Sequence, residues 1–172
     1  QFFEGLTLEG APLAPNAQFW FGTDLVGRDL LSRIIYGART SLIIGVIANG
    51  VSVLIGSAVG ITAGYFKGWV STVLMRFTDL MMAFPALLLA IVLAAIFRPS
   101  LLIVAMVIAM VNWVQIARVL YTETRSLAER DFVEAERALG AGTFRILTRH
   151  IFPHLVSTIV VYATLGIATT VL

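Results

Sequence analysis

Two histidines, His150 and His154, stand four residues apart, a spacing that places both rings on one helix face and could hold a zinc ion. No further ligand stands near them in sequence, so a plain surface pair is the alternative. Arg76 and Asp79, three residues apart in an apolar run, could pair with each other, and Asp79 could instead serve a proton relay. No second acidic residue lies deep in any apolar run, which counts against the relay. The sequence contains no P-loop, no H-E-x-x-H pair and no G-x-S-x-G elbow. It contains no Cys, which excludes disulfides and thiolate metal sites. The chemistry on offer is recognition and packing, and the chain is expected to be non-catalytic.

The elements that carry these residues are mostly hydrocarbon. Of 172 residues, 59% are hydrophobic and 13% charged, against about 25% charged in an average soluble domain. That shortfall identifies a polytopic membrane protein, read as an all-α bundle of transmembrane helices with spans at about 41–65, 73–97, 101–117 and 155–172. Pro85 is expected to kink the second span, and Arg98 to Ser100 to make a tight connection. Trp113 and Gln115, near the end of the third span, suit a membrane interface. Arg118, Arg125, Arg130, Arg137, Arg145 and Arg149, six of the twelve basic residues, lie between the third and fourth apolar runs. Such an excess places the 118–154 loop in the cytoplasm, Lys67 with it, and residues 1–40 outside. Within 1–40, an irregular segment precedes an amphipathic helix starting at Asp24. The chain starts without Met and stops inside an apolar run, so it is expected to be a piece of a longer protein truncated at both ends.

Along the first span, Ala48, Ser52, Gly56, Gly60 and Gly64 recur at every fourth position. This makes one helix face smooth enough for another helix to approach closely, within the same subunit or across a subunit interface. Asn49 lies beside that face and could hydrogen-bond across it.

The longest charged interval, Asp131 to His154, reads as helix, turn and helix. Good helix formers fill Glu129 to Leu139, and Phe132, Ala135, Glu136 and Leu139 share one stripe. Gly140 falls where a helix commonly ends in the left-handed conformation, and Gly142 keeps the turn permissive. Thr143 is placed to cap a second helix, Phe144 to Ile151, which Pro153 would bound or redirect.

This interval resembles the signature of the integral membrane subunits of ABC importers, in Glu134, Ala135, Glu136, Gly140, Ile146 and Pro153. Glu136 departs from it, replacing the usual Ala. Two further stretches are similar to the dipeptide and oligopeptide branch. One comprises Gly22 to Asp24, Gly27 to Asp29, Ser32 with Arg33, and Gly37 to Arg39; the other is Met75 to Pro85. The resemblance implies a permease subunit of the prokaryotic cytoplasmic (inner) membrane. In it, a coupling helix containing Glu134 to Gly140 docks on a separate ATPase. It implies no cofactor in this chain, with ATP and Mg held by the ATPase. The implied partners are a second permease subunit, two ATPase subunits and an extracytoplasmic solute-binding protein. No nucleic acid is expected, because membrane-embedded flanks exclude a free DNA-binding module. The rival reading is a secondary transporter or channel not driven by ATP, which would show ionisable residues and broken helices at mid-membrane.

Overall fold

The computed structural model describes residues 5–7, 9–97 and 100–171, in two compact units, 1–43 and 44–172. Arg98 and Pro99 of the expected tight connection lie outside the described residues. Beyond two isolated bridges, Leu6 with Pro12 and Thr23 with Asp29, the described residues are helices, turns and loops.

In the first unit a buried threonine and two aspartates organise the loops. Thr23 Oγ1 donates to the Gly5 carbonyl at 2.5 Å and accepts from the Leu13 N–H at 2.8 Å. Asp24 accepts from the N–H groups of Val26 and Arg28, both at 2.9 Å, and pairs with Arg33. The Arg28 N–H does most to hold the Asp24 carboxyl below its ordinary range, with Val26 and Arg33 acting in the same direction against desolvation. Asp29 is also held below its ordinary range, first by the Ser32 hydroxyl at 2.5 Å and then by the N–H groups of Ser32 and Leu31. Helix α1, Leu30–Tyr65, follows directly. It therefore starts six residues later than the expected Asp24, because both aspartates spend their oxygens on backbone N–H groups: Asp24 closes a turn and Asp29 caps the helix.

The second unit is a helical bundle built on α4, Leu101–Ala128. Ser100 caps it by accepting from the Ile103 N–H at 3.3 Å, and it runs through Arg118 without a break. The expected third span and the polar helix after it are thus one element. Among the described residues, three helical runs are long and apolar enough to cross a membrane: Leu30–Tyr65, Leu101–Ala128 and Thr143–Thr170. The expected second span is instead two shorter helices, α2 (Trp69–Ala83) and α3 (Ala86–Ile96). Proline disfavours the helical conformation in the residue before it, and both Phe84 and Pro85 are extended, so the helix breaks where a kink was expected.

The smooth face of α1 packs on α4 of the same chain. A Cβ on Gly56 would lie 2.8 Å from the Trp113 carbonyl oxygen. On Gly60 it would lie 2.5 Å from that of Ala117, and on Gly64 2.7 Å from that of Tyr121. Ser52 Oγ donates to the Ala48 carbonyl at 2.8 Å and reaches Ala109 of α4 at 3.3 Å. Asn49 Nδ2 donates to the carbonyl of Ala163, on the last helix, α7 (Phe152–Val171).

Two pairings differ from expectation. Asp79 pairs with Arg118 across α2 and α4, not with Arg76, because it faces the neighbouring helix while Arg76 is exposed. Trp113 is buried rather than interfacial; it stacks on Phe77 of α2 with ring centres 6.0 Å apart.

Candidate functional site

Between α4 and α7 the chain forms α5, Asp131–Ala138, then α6, Thr143–Ile146, then a π-turn, Leu147–Ile151, that leads into α7. Asp131 and Glu134 fall in the first turn of α5 and Arg137 in its last, the order that suits the helix dipole. α5 therefore starts at Asp131, two residues after the expected Glu129. The intervening residues turn the chain out of α4, with the Arg130 N–H donating to Leu127 at 3.1 Å.

The exit from α5 is a Schellman turn. The Ala141 N–H donates to the Glu136 carbonyl at 2.9 Å and the Gly140 N–H to that of Arg137 at 3.0 Å. Gly140 has φ of +79°, a conformation that L side chains rarely adopt. A Cβ there would meet nothing within 4 Å, so conformation and not space calls for glycine. Thr143 opens α6 without capping it: Gly142 holds the cap position, and no side chain bonds the helix start. Nor does Pro153 end the second helix, which continues through it into α7. Proline removes an N–H and crowds the carbonyl four residues back, here Arg149. That carbonyl lies in the π-turn, where the ladder already runs to the fifth residue.

Burial on α5 does not follow the stripe read from the spacing. The stripe through Phe132, Ala135, Glu136 and Leu139 is split, and the inner face is Val133, Glu136 and Arg137. Val133 is fully buried, in a cluster with Ala128, Ile146, Ile151 and Leu155. Glu136 Oε1 lies 3.3 Å from His150 Nε2, and Arg137 lies over the Tyr65 ring, 5.4 Å from its centre. The glutamate that departs from the resembled signature thus ties α5 to the π-turn. The two histidines serve packing: His154 Nδ1 donates to the His150 carbonyl at 2.7 Å, and Phe132 stacks on the His154 ring at 5.7 Å. Among the described residues, no group of three potential metal ligands surrounds them.

The outer face is left bare. Leu139 is 83% exposed and Phe144 80%, with Glu134, Ala135 and Gly140 exposed around them. Two large apolar side chains thus flank a rigid turn, each held out by a buried residue of its own helix, Val133 for Leu139 and Ile146 for Phe144. Phe144 went unremarked in the sequence as an exposed group. Its signal was position, as the first large apolar residue after a glycine turn.

The family described as binding-protein-dependent transport system inner membrane component matches residues 56–172. A dipeptide transport system permease protein of Alkalihalophilus pseudofirmus is 42% identical over 158 residues, covering 92% of this chain and 52% of that protein. Glutathione transport system permease proteins of Pectobacterium atrosepticum and Escherichia coli are 37% and 39% identical over the same shares. The chain spans about half the length of the curated relatives it matches. With the family match covering both the smooth face of α1 from Gly56 and the whole α5–α7 region, the chain belongs to the inner membrane component family of binding-protein-dependent transport systems.

Proposed function

We propose that this chain is the transmembrane subunit of an ATP-driven importer of dipeptides or oligopeptides, and that α5 with its glycine turn docks on a separate ATPase. The observation that carries this reading is the bare apolar pair, Leu139 and Phe144, held on a turn anchored from behind by the buried Val133 and Ile146. Isolated in water, such a pair loses hydrophobic free energy; under a partner's cleft it becomes the anchor of an interface. Residues 118–154 and Lys67 face the cytoplasm, where six arginines keep them. ATP and Mg are bound by two ATPase subunits, a second permease subunit completes the membrane path, and an extracytoplasmic binding protein delivers the solute. Closure of the ATPases moves α5, and the rigid Schellman turn and Val133 cluster pass that movement to α4 and α7. The dipeptide and glutathione relatives support the peptide class.

The break at Phe84 and Pro85 is a feature that a secondary transporter would also show. One experiment separates the two readings. Leu139→Asp and Phe144→Asp in the full-length subunit are expected to insert normally, to lose co-purification of the ATPase, and to abolish ATP-driven uptake. Retained co-purification and uptake in both variants would refute the docking role of this segment, whereas uptake by the parent that needs neither ATP nor the ATPase would favour the transporter not driven by ATP.

A further inference from the structure

A polar stripe runs down α4; Arg118 pairs with Asp79 and Arg125 with Glu129, which leaves Asn112 and Gln115 as the part that neither packing nor docking uses. Asn112, Gln115, Arg118, Thr122, Arg125 and Glu129 recur at three- and four-residue intervals and so share one face. The opposite face, Trp113, Ala117, Leu120, Thr124 and Ala128, is the buried one. Asn112 stands eleven residues beyond Leu101, about 17 Å along the helix, close to the middle of a hydrocarbon layer about 30 Å thick. Among the described residues, no hydrogen bond engages the side chain of Asn112 or Gln115. Amides facing lipid at that depth would leave their polar groups unsatisfied, at a cost of several kcal/mol each in hydrocarbon.

Two cavities open on this stripe and share Gln115. One, of about 150 Å³, is lined by Asn49, Asn112, Gln115, Tyr162 and Thr169, and it carries three amides and two hydroxyls but no charge. The other, of about 490 Å³, lies against the α2–α3 break and is apolar, lined by Met81, Met82, Met110 and Phe84 beside Gln115. Unbranched thioether side chains accept apolar groups of varied shape.

We infer that these adjoining cavities are a contact site for the transported solute: Asn112 and Gln115 hydrogen-bond the amides of a peptide, while the methionine chamber takes its apolar side chains. The inference rests on the importer reading above and extends it by assigning the solute to named residues. An uncharged, amide-lined wall suits a passing peptide bond, which offers one N–H and one C=O, and the methionines tolerate many side chains. One such hydrogen bond contributes little, which suits a site that must release its solute.

These 172 residues contain no Cys, so Asn112→Cys and Gln115→Cys each introduce a single thiol here, in a subunit and partners whose remaining cysteines, if present, are first replaced by Ser. The test uses the full-length subunit assembled with its partners in vesicles, a charged water-soluble methanethiosulfonate as probe, and dipeptide uptake as second readout. Both thiols are expected to react, and dipeptide with its binding protein and ATP is expected to slow the reaction. In the same vesicles Gln115→Leu is expected to lower uptake by about twofold to tenfold, the worth of one hydrogen bond, with ATPase co-purification unchanged. Met81→Trp is expected to shift preference from a Phe-containing dipeptide toward Gly-Gly. Unreactive thiols in both variants would mean that lipid or a protein surface covers the stripe. Reactivity indifferent to dipeptide would mean trapped water only. Either result overturns the site while leaving ATP-driven uptake by the parent intact. A parent that takes up no dipeptide overturns the substrate reading itself.

Discussion

Gly140 offers a graded test of how the turn is built. Its φ of +79° is left-handed, and a Cβ at this position would meet nothing within 4 Å. Size is therefore irrelevant and only backbone conformation is at stake. An L residue with a Cβ costs roughly 1–2 kcal/mol in this region; Asn tolerates it best, and a β-branched residue is the worst case. The expected order of function is Gly, then Asn, then Ala, then Val. For Gly140→Val the strain, of order 1–3 kcal/mol, is comparable to the two turn hydrogen bonds together, from Gly140 and Ala141, at about 1 kcal/mol each. The turn would then open and Leu139 would swing relative to Phe144. Insertion should be unaffected, because the strained bond lies outside the apolar runs. The assay is ATPase co-purification with uptake in vesicles carrying equal amounts of each variant. If Val performs like Asn and both like Gly, a fixed turn is not what couples this segment, and the reasoning fails.

Three other consequences are open to measurement. Gly60→Leu places a Cβ 2.5 Å from the Ala117 carbonyl oxygen and 3.1 Å from its Cα, both backbone. No rotamer relieves that clash, and overpacking of about 1–3 kcal/mol or more should appear as a low membrane level and a reduced Tm in detergent. Glu134→Lys reverses an exposed charge in the first turn of α5; weakened ATPase association at unchanged membrane level is expected, and a parent-like co-purification would place the docking surface elsewhere. Asp24 and Asp29 have folded-state pKa values below the unfolded value of 3.8, so their contribution to the 22–33 turn is fully present above that value and is lost as pH falls through the lower folded one. Amide exchange at Val26, Arg28 and Ser32 should thus stay slow at neutral pH, after correction for intrinsic rates, and lose protection only in strong acid; loss already near pH 5 would contradict the assignment.

Helix and turn assignments in the polar segment were legible because they depend on neighbours in the chain. The glycine at the end of α5 follows from the shape of one residue, and the close packing face of α1 from a four-residue period of small side chains. Their partners were not legible. Asp79 was expected to pair with Arg76, three residues away, and pairs with Arg118, thirty-nine residues away. Pro85 was read as a kink, but its effect depends on whether neighbouring helices can satisfy freed backbone groups, and α2 and α3 instead separate. The stripe on α5 was read from spacing alone, while burial of Val133 depends on where α7 and the π-turn lie.

Sequence by itself determined the hydrocarbon content, the basic loop, the glycine turn and the small-residue face, since composition, charge and backbone freedom are properties of residues and their near neighbours. Tertiary structure alone decided which side of α5 is bare, that Glu136 meets His150, that α1 nests on α4 rather than on another chain, and that two cavities meet at Gln115. Each of these depends on distances between segments far apart in the chain, and those distances are set by the packing of whole helices, which no local spacing encodes.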